Sequence, residues 1–398
     1  MTVPTRRTAA AVLLALVAAA CTGGTTPERT TAPPTSPARA VLSELTIAFI
    51  ENLAPDGAAQ RVAPAFQGAR LAVDGAALRG ALKAGVSIVP FDTAGTAEGI
   101  AAVAARIAAD PTVVAAIVAP QLTGQVALGD RLDAAGVPTI SLSTLGPALP
   151  EQGWTDWRRA VPDIDREAMV IVDALREVMG ERRTCLLGDG SPPSIALIHA
   201  VVGALQRRPA LRLALPDTVP DDPSVIAAIK GAGCRSVVWG GTPTAAALLR
   251  VALVENGLRA VRILGGESLK DASYITTAGP RGRGTIAVCP CVDLSTSTDL
   301  RAQRFIQDYQ SSFGVPPGPF AAEGWDVAHM ILDAISSGAS APGEVGAALA
   351  RTSTFSGLAR GYSFARNGSL EDQAGAVRVY RDQGVRWIVD GLPTRASG

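Results

Sequence analysis

Hydroxyl and amide side chains follow two short apolar runs near the middle of the chain, an arrangement typical of a polar ligand site. The run 115–119 precedes Gln121–Gly124 (QLTG), and the run 137–140 leads into Ser141–Thr144 (SLST). Both runs are rich in small and β-branched apolar residues, which favours strands that are buried on both faces. In open α/β sheets, ligands bind in the crevice outside the carboxyl ends of the strands. The two loops therefore predict half of a polar binding site.

The segment between these two runs has the apolar spacing of a helix. Val126, Leu128 and Leu132 recur at helical intervals, and Gly136 is a natural helix end. A strand–helix–strand unit of this length makes two neighbouring parallel strands with a right-handed crossover. The segment thus predicts a fold and a part of its binding site together.

Cysteines and histidines limit the metal and covalent chemistry that the chain could support. Cys289-Pro290-Cys291 has the look of a metal or redox motif, but neither His199 nor His329 lies beside a cysteine with familiar ligand spacing. Both histidines fall inside helical patterns, and the sequence has no Gly-x-Ser-x-Gly motif. We therefore predict neither a metal site nor a hydrolase site, and no catalytic residue.

The N-terminus is typical of an export signal. Arg6 and Arg7 precede the uncharged run 9–20, which ends in three alanines before Cys21. The run is shorter than the ~20 apolar residues that span a bilayer. A cysteine at this position resembles a bacterial lipobox, so we predict a lipoprotein signal peptide over 1–20 with lipidation of Cys21. An ordinary signal peptide with an incidental cysteine is the alternative.

The composition predicts a tether followed by a body of two lobes. Residues 21–42 are rich in Thr and Pro, which predicts a disordered spacer. The remaining residues, about 355, exceed what one core usually holds, so two lobes are expected. Lys plus Arg and Asp plus Glu each total 36, and no basic cluster stands out, which argues against a nucleic-acid partner.

Strand and helix patterns alternate along most of the body, which predicts an α/β fold with a mostly parallel, doubly wound sheet built twice. The pattern changes near the C-terminus. Segments 361–364, 375–380 and 385–389 predict hairpins, with Asn367-Gly368 and Gln383-Gly384 at their turns.

Seven segments of the chain, taken in their order and spacing, carry a resemblance to one known family. They are FQGARLAVD (66–74), APQLTG (119–124), VPTISLSTLGP (137–147), RAVPDID (159–165), LGGE (264–267), PFAAEGWDVAHMILDA (319–334) and FSGLARGYSFARNGS (355–369). In these segments the chain resembles the type I periplasmic solute-binding proteins of the branched-chain amino-acid class, which are the extracytoplasmic receptors of ABC importers. The likeness runs from Leu45 to about Val389.

The resemblance implies two lobes joined by three crossovers, with a ligand in the cleft and closure by hinge bending. Lobe 1 would comprise 43–161 plus 291–362, and lobe 2 would comprise 162–290 plus 363–398. The crossovers would fall near 161–165, near Pro290 and near 362–366, where a proline or a change of strand pattern occurs.

The resemblance also implies a set of ligand-binding residues. Thr123, Ser143 and Thr144 match the hydroxyl loops that hold a ligand's α-carboxylate, and Glu267 matches the acid that holds its α-ammonium. Hydroxyls and N–H groups at a helix start suit an anion without a cation. For Thr123 an ordinary helix N-cap is an alternative, and for Glu267 an exposed glutamate at a strand end.

Departures from the family pattern make an apolar, leucine-type pocket doubtful. Leu145 replaces a threonine, and an aromatic residue expected near Pro193 is missing. Thr242 replaces a second aromatic residue, and we predict that it binds the ligand. A tryptophan of the first loop corresponds to a position near Arg61. Arg61 either meets a second acidic group of the ligand or lies solvated at the rim.

Within lobe 2 we predict a disulfide between Cys185 and Cys234. Each cysteine opens a strand, and in the doubly wound order 2-1-3-4-5 the first and third strands are neighbours. The bridge would lie at the amino edge of the sheet, away from the cleft. Two separate buried thiols are the alternative, and the state of Cys289 and Cys291 is left open.

We therefore expect a solute-binding lipoprotein of an ABC importer, without a cofactor, which binds an amino acid or a similar small carboxylate. It would be a monomer on the outer face of the cytoplasmic membrane, with an ABC permease as partner. A ligand-sensing receptor that signals to a membrane partner has the same fold and is the alternative. A hydrolytic enzyme would need an activated nucleophile or a metal, which the sequence does not offer.

Overall fold

The computed structural model describes residues 44–53, 58–80, 82, 84–146, 148–179, 183–215, 221–373 and 375–390; of residues 58–62, 178 and 179 it describes the backbone alone. The predicted signal peptide, the tether and Cys21 lie outside these residues.

The first sheet contains five parallel strands in the order β2-β1-β3-β4-β5. All six residues of β3 (VVAAIV) are buried, as expected of a central strand with helices on both faces. The strands are β1 (Glu44–Glu51), β2 (Gly85–Asp92), β3 (Val113–Val118), β4 (Thr139–Ser141) and β5 (Trp157–Arg159). The helices between them are α1 (Ala58–Leu78), α2 (Ala97–Ala109) and α3 (Gln125–Ala134).

The second sheet repeats this order and adds two antiparallel strands at one side. Its order is β14-β13-β10-β9-β8-β6-β7, and the strands from β6 to β10 are parallel. Its parallel strands are β6 (Thr184–Gly188), β7 (Leu211–Ala214), β8 (Ser236–Gly240), β9 (Arg262–Gly265) and β10 (Ile286–Cys289); β13 (Arg378–Asp382) and β14 (Trp387–Val389) are antiparallel. Its helices are α4 (Ile164–Met179), α5 (Pro192–Ala204), α6 (Pro223–Gly231), α7 (Pro243–Glu255) and α8 (Ala272–Ala278). The predicted α/β class with two doubly wound, mostly parallel sheets is confirmed.

Three later helices return to the first sheet: α9 (Leu300–Phe313), α10 (Ala321–Ser336) and α11 (Pro342–Arg351). Helices α1 and α10 approach so closely that no residue with a side chain could replace either of two glycines at their contact. A Cβ at Gly68 would lie 1.9 Å from the Ala321 carbonyl oxygen, and one at Gly324 would lie 2.1 Å from that of Ala65. The chain therefore passes between the sheets after β5, after β10 and again before β13.

The predicted hairpins form only in part. Strands β13 and β14 pair across the turn at Gln383-Gly384, as expected. At the other turn, Asn367-Gly368, a single bridge joins Phe364 to Leu370. The strand β12 (Gly361–Tyr362) pairs instead with the preceding β11 (Phe355–Ser356), because Phe355 packs its ring beside that of Tyr362.

Both cysteine pairs of the described chain are joined as disulfides. Cys185 in β6 is bonded to Cys234 just before β8, the neighbouring strand, with 5.8 Å between Cα atoms. This is the pair that the sequence predicted, and it lies at the amino ends of the strands. Cys289 and Cys291, which the sequence left open, are bonded across Pro290 at the end of β10, with 5.1 Å between Cα atoms.

Candidate functional site

A cavity of about 60 Å³ lies where the carboxyl ends of the two sheets face each other. It could hold roughly four to six water molecules, or a ligand of similar size. The first sheet and its loops contribute Gln121, Thr144 and Leu145; α4 contributes Ile164 and Glu167. The strand ends of the second sheet and helix α5 contribute Asp189, Ser191, Pro193, Ser194, Leu197, Gly240, Gly241, Thr242, Gly266, Glu267 and Ser268.

The two hydroxyl-rich loops of the first sheet are held together by their own side chains. The Ser143 hydroxyl donates to the Leu122 carbonyl (3.3 Å) and accepts from the backbone N–H of Leu145 (3.2 Å). Gln125 donates to the same carbonyl (2.8 Å) and accepts from the Ser141 hydroxyl (3.0 Å). The buried Ser143 thus stabilises the loops, whereas Thr144 lines the cavity.

Two other residues predicted for the ligand are not among the described lining residues. Thr123 is half-buried and is absent from the residues that line the cavity in the described part of the chain. Its alternative interpretation as the N-cap of α3 is wrong, because Gly124 occupies that position with φ +69° and no side-chain cap. Arg61 belongs to α1, and its side chain lies outside the described residues.

Thr242 lines the cavity and also begins α7. Its hydroxyl accepts from the backbone N–H of Ala245 (3.4 Å), and its own N–H donates to the Asp189 carboxylate (3.1 Å). Asp189 also accepts from the N–H of Ser191 (2.9 Å), the N-cap of α5. The loop after β6 and the loop after β8 are therefore cross-linked at the cavity wall.

Two buried carboxyl groups meet at the centre of the site. Glu267 follows β9 and is 7% exposed, and Glu167 in the first turn of α4 is 2% exposed. The backbone N–H of Glu267 donates to Oε1 of Glu167 at 2.6 Å. The side chain of Gln121, which comes from the opposite sheet with φ +59°, forms a hydrogen bond to the Glu267 carboxyl group. Among the described residues, none pairs with the buried Oε2 of Glu267.

Burial determines the protonation of this pair. It raises the pKa of Glu267 well above 4.5, and the neighbouring Glu167 raises it further, while the Gln121 hydrogen bond acts in the opposite direction. Burial likewise raises the pKa of Glu167, while the hydrogen bond that it accepts from the Glu267 N–H lowers this pKa. No lysine or arginine is found among the described lining residues. The site is thus suited to a group that is positively charged and donates hydrogen bonds, such as an ammonium.

The sequence predicted Gln121 only as part of the polar loop 121–124, and it gave no indication of Glu167 or Asp189. Glu167 has the pattern of an ordinary first-turn acid, which stabilises a helix N-terminus. Only the tertiary structure places it beside Glu267, 100 residues further along the chain. A signal for Gln121 was its position in the loop that follows the buried strand β3.

A family profile described as periplasmic binding protein matches residues 44–384. This chain is a member of that family. Among curated protein sequences, no match was found. The family and fold are those of solute-binding proteins, and the family implies export from the cytoplasm.

Solved structures agree on the fold of this periplasmic binding protein. The chain is similar to the branched-chain amino-acid transporter substrate-binding protein LivJ from Streptococcus pneumoniae, solved with isoleucine, at 17% identity and a TM-score of 0.73; the match covers 87% of this chain and 100% of that one. The leucine-binding protein LivK from Thermotoga maritima matches at 17% and 0.73, covering 87% and 98%. A solute-binding protein of an ABC transporter from R. palustris, solved with benzoate, matches at 16% and 0.72, covering 87% and 95%. The resemblance to type I periplasmic binding proteins is confirmed.

Neither a membrane span nor a metal cluster is found in the part of the chain that the structure describes. No helix there is both long and apolar enough to cross a bilayer. No group of three or more His, Cys, Asp or Glu side chains there could hold a metal ion.

Proposed function

We propose that this protein is the extracytoplasmic receptor of an ABC importer and delivers a small solute to a membrane permease. The cavity between the strand ends supports this function, because its walls come from both sheets and a ligand there would hold them together. The lobes would be 43–161 plus 291–362 and 162–290 plus 363–398, and they would close by bending at the three crossovers.

The proposed ligand is an amino acid or a related small carboxylate that carries an amine. The observation that carries this proposal is the buried Oε2 of Glu267, which pairs with no other described residue. A buried acceptor without a donor is costly, and a ligand ammonium would supply the donor. On the opposite wall, Thr144 would contact the carboxylate of the ligand.

Replacing Glu267 with glutamine is expected to weaken binding of an amino acid by about 1.5–3 kcal/mol, the usual contribution of a hydrogen bond to a charged group. The ligand-free variant should at the same time melt at a higher temperature near neutral pH, because it no longer buries a carboxyl group beside Glu167. A thermal-shift screen of amino acids and of uncharged solutes, followed by calorimetry, measures both effects.

The matched control is Glu151→Gln, the same chemical change at an exposed position outside the cavity. It should leave both the affinity and the melting temperature unchanged. Thermal shifts with uncharged solutes but with no amino acid would contradict the proposed ligand class.

The same carboxyl pair predicts a pH dependence. Because burial raises the pKa of both groups in the folded protein, the stability of the ligand-free protein is full below the unfolded pKa and falls as the pH rises toward the raised values. Ammonium binding requires ionised carboxylates, so affinity should decrease when the pH falls through the same range. In Glu267→Gln both dependences should be reduced.

We propose that a lipid on Cys21 anchors the protein to the outer face of the cytoplasmic membrane. The support is the sequence pattern at the N-terminus. Each buried CH₂ of an acyl chain contributes ~0.8 kcal/mol, so two chains give stable attachment. The Cys21→Ala variant should therefore be released into the medium, as measured by fractionation and immunoblotting. Unchanged retention in the membrane fraction would count against lipidation at this position.

A further inference from the structure

A second cavity lies beside the first sheet, and it is larger than the cavity in the cleft between the strand ends of the two sheets. Its volume is about 330 Å³, within the range of about 300–1,000 Å³ that small-molecule sites occupy. None of its described lining residues belongs to the cleft. They are Arg158 of β5; Met330, Asp333, Ala334 and Ser337 of α10 and its end; Ala348, Leu349, Arg351, Thr352 and Phe355 of α11 and the segment after it; and Tyr362 and Phe364.

The lining of this second cavity includes a buried positive charge. Arg158 is only 7% exposed, and among the described residues none pairs with its buried Nη1. Burial lowers the pKa of Arg158, and the nearby charge of Asp156 partly offsets this. A guanidinium that leaves a buried donor unpaired is costly. A ligand oxygen at this point would supply the missing acceptor.

The walls of the second cavity are mainly apolar and aromatic. The Tyr362 ring lies 6.2 Å from that of Phe355 and 6.4 Å from that of Phe364, measured between centroids. Leu349 and Met330 are buried on the helix side. Arg351 and Thr352 are exposed and belong to the rim. Asp333 is the acidic group of the lining, and burial raises its pKa. A second negative charge on a ligand would be unfavourable near it.

We propose that this cavity is a second binding site, for a small monocarboxylate with an apolar, aromatic body. The carboxylate accepts a hydrogen bond from Nη1 of Arg158, and the body packs against Leu349, Phe355 and Phe364. A planar guanidinium is well suited to a carboxylate. The site is independent of the ligand proposed for the cleft.

Calorimetric titration of the exported, mature protein with benzoate tests this site, with benzyl alcohol as the uncharged analogue. Benzoate should bind at least about tenfold more tightly than benzyl alcohol, because the alcohol lacks the charge that pairs with Arg158. Two variants should each weaken benzoate binding by about tenfold or more. Arg158→Met removes the guanidinium, and Ala348→Phe fills the cavity from the half-buried face of α11.

Two further measurements complete the test. Ligand-free Arg158→Met should melt no lower than the wild type, since it removes a buried guanidinium whose Nη1 has no described partner. Glu267→Gln, which alters the cleft, should leave benzoate binding unchanged. A change of benzoate affinity in Glu267→Gln, in either direction, would place benzoate in the cleft and overturn the proposal. Absence of benzoate binding to the wild type, or equal binding by wild type, Arg158→Met and Ala348→Phe, would also overturn it.

Discussion

Replacing Arg360 with methionine is expected to lower the free energy of unfolding by about 3–5 kcal/mol, the usual effect of removing one partner of a buried ion pair. Nη2 of Arg360 lies 2.8 Å from Oε1 of Glu323, and the two side chains are 10% and 0% exposed. The same nitrogen donates to the Pro290 carbonyl, and the N–H of Val292 donates to Glu323 at 2.8 Å. The pair therefore ties α10 to the chain segment that leaves β10.

The pH dependence of the Arg360 effect has a definite sign. Burial raises the pKa of Glu323, while Arg360 opposes this rise. Without Arg360 the pKa of Glu323 should rise further. The variant therefore loses more stability at high pH than at low pH, where Glu323 is protonated in both the folded and the unfolded protein. Chemical denaturation at several pH values measures this difference.

Two control variants distinguish the effect of burying the Arg360–Glu323 ion pair from the effect of losing a charge. Arg301 pairs with Asp299 at 3.3 Å, but both side chains are about half exposed. Arg301→Met should therefore change stability by less than about 1 kcal/mol. The double variant Arg360→Met with Glu323→Gln removes both charges and should be more stable than Arg360→Met alone. If Arg360→Met and Arg301→Met cost the same, the pair does not have the stabilising role argued for it.

Removing the Cys185–Cys234 disulfide is expected to cost about 4 kcal/mol in the chain-entropy model. The bridge closes a loop with a sequence separation of 49 residues, so its loss gives the unfolded chain much more freedom. In the double variant Cys185→Ala with Cys234→Ala, denaturant unfolding should show a lower midpoint and a steeper slope, because the unfolded state exposes more surface.

The second bridge is the matched control for this effect. Cys289 and Cys291 are only two positions apart in the sequence, so the same relation gives about 1 kcal/mol for their double replacement by alanine. Because Cys185 and Cys234 lie away from the cleft, ligand affinity should be unaffected by their loss. Equal costs for the two bridges would contradict the entropic explanation.

Much of the fold was predictable because its signals are local. The buried strand β3 and the glycine that ends α3 are visible in a window of a few residues, and alternation of such units predicts a parallel sheet. The pairing of Cys185 with Cys234 followed from strand order, because β6 and β8 are neighbours in a doubly wound sheet. The partner of β12 was predicted less well, since so short a strand is determined by the ring packing of Phe355 and Tyr362.

The cleft was predictable in position but only partly in composition. Sequence by itself determined that the strand-end loops would lie at the cleft, because strand ends and their loops are set by local patterns, and the resemblance to the family implied Glu267 there. Only the tertiary structure decided that the Ser143 hydroxyl stabilises the loops and does not line the cavity, since the Leu122 carbonyl and the Leu145 N–H need hydrogen-bond partners. It also decided that Glu167 joins Glu267 and that Arg158 faces a second cavity, because these contacts join residues far apart in the chain, which no local pattern encodes.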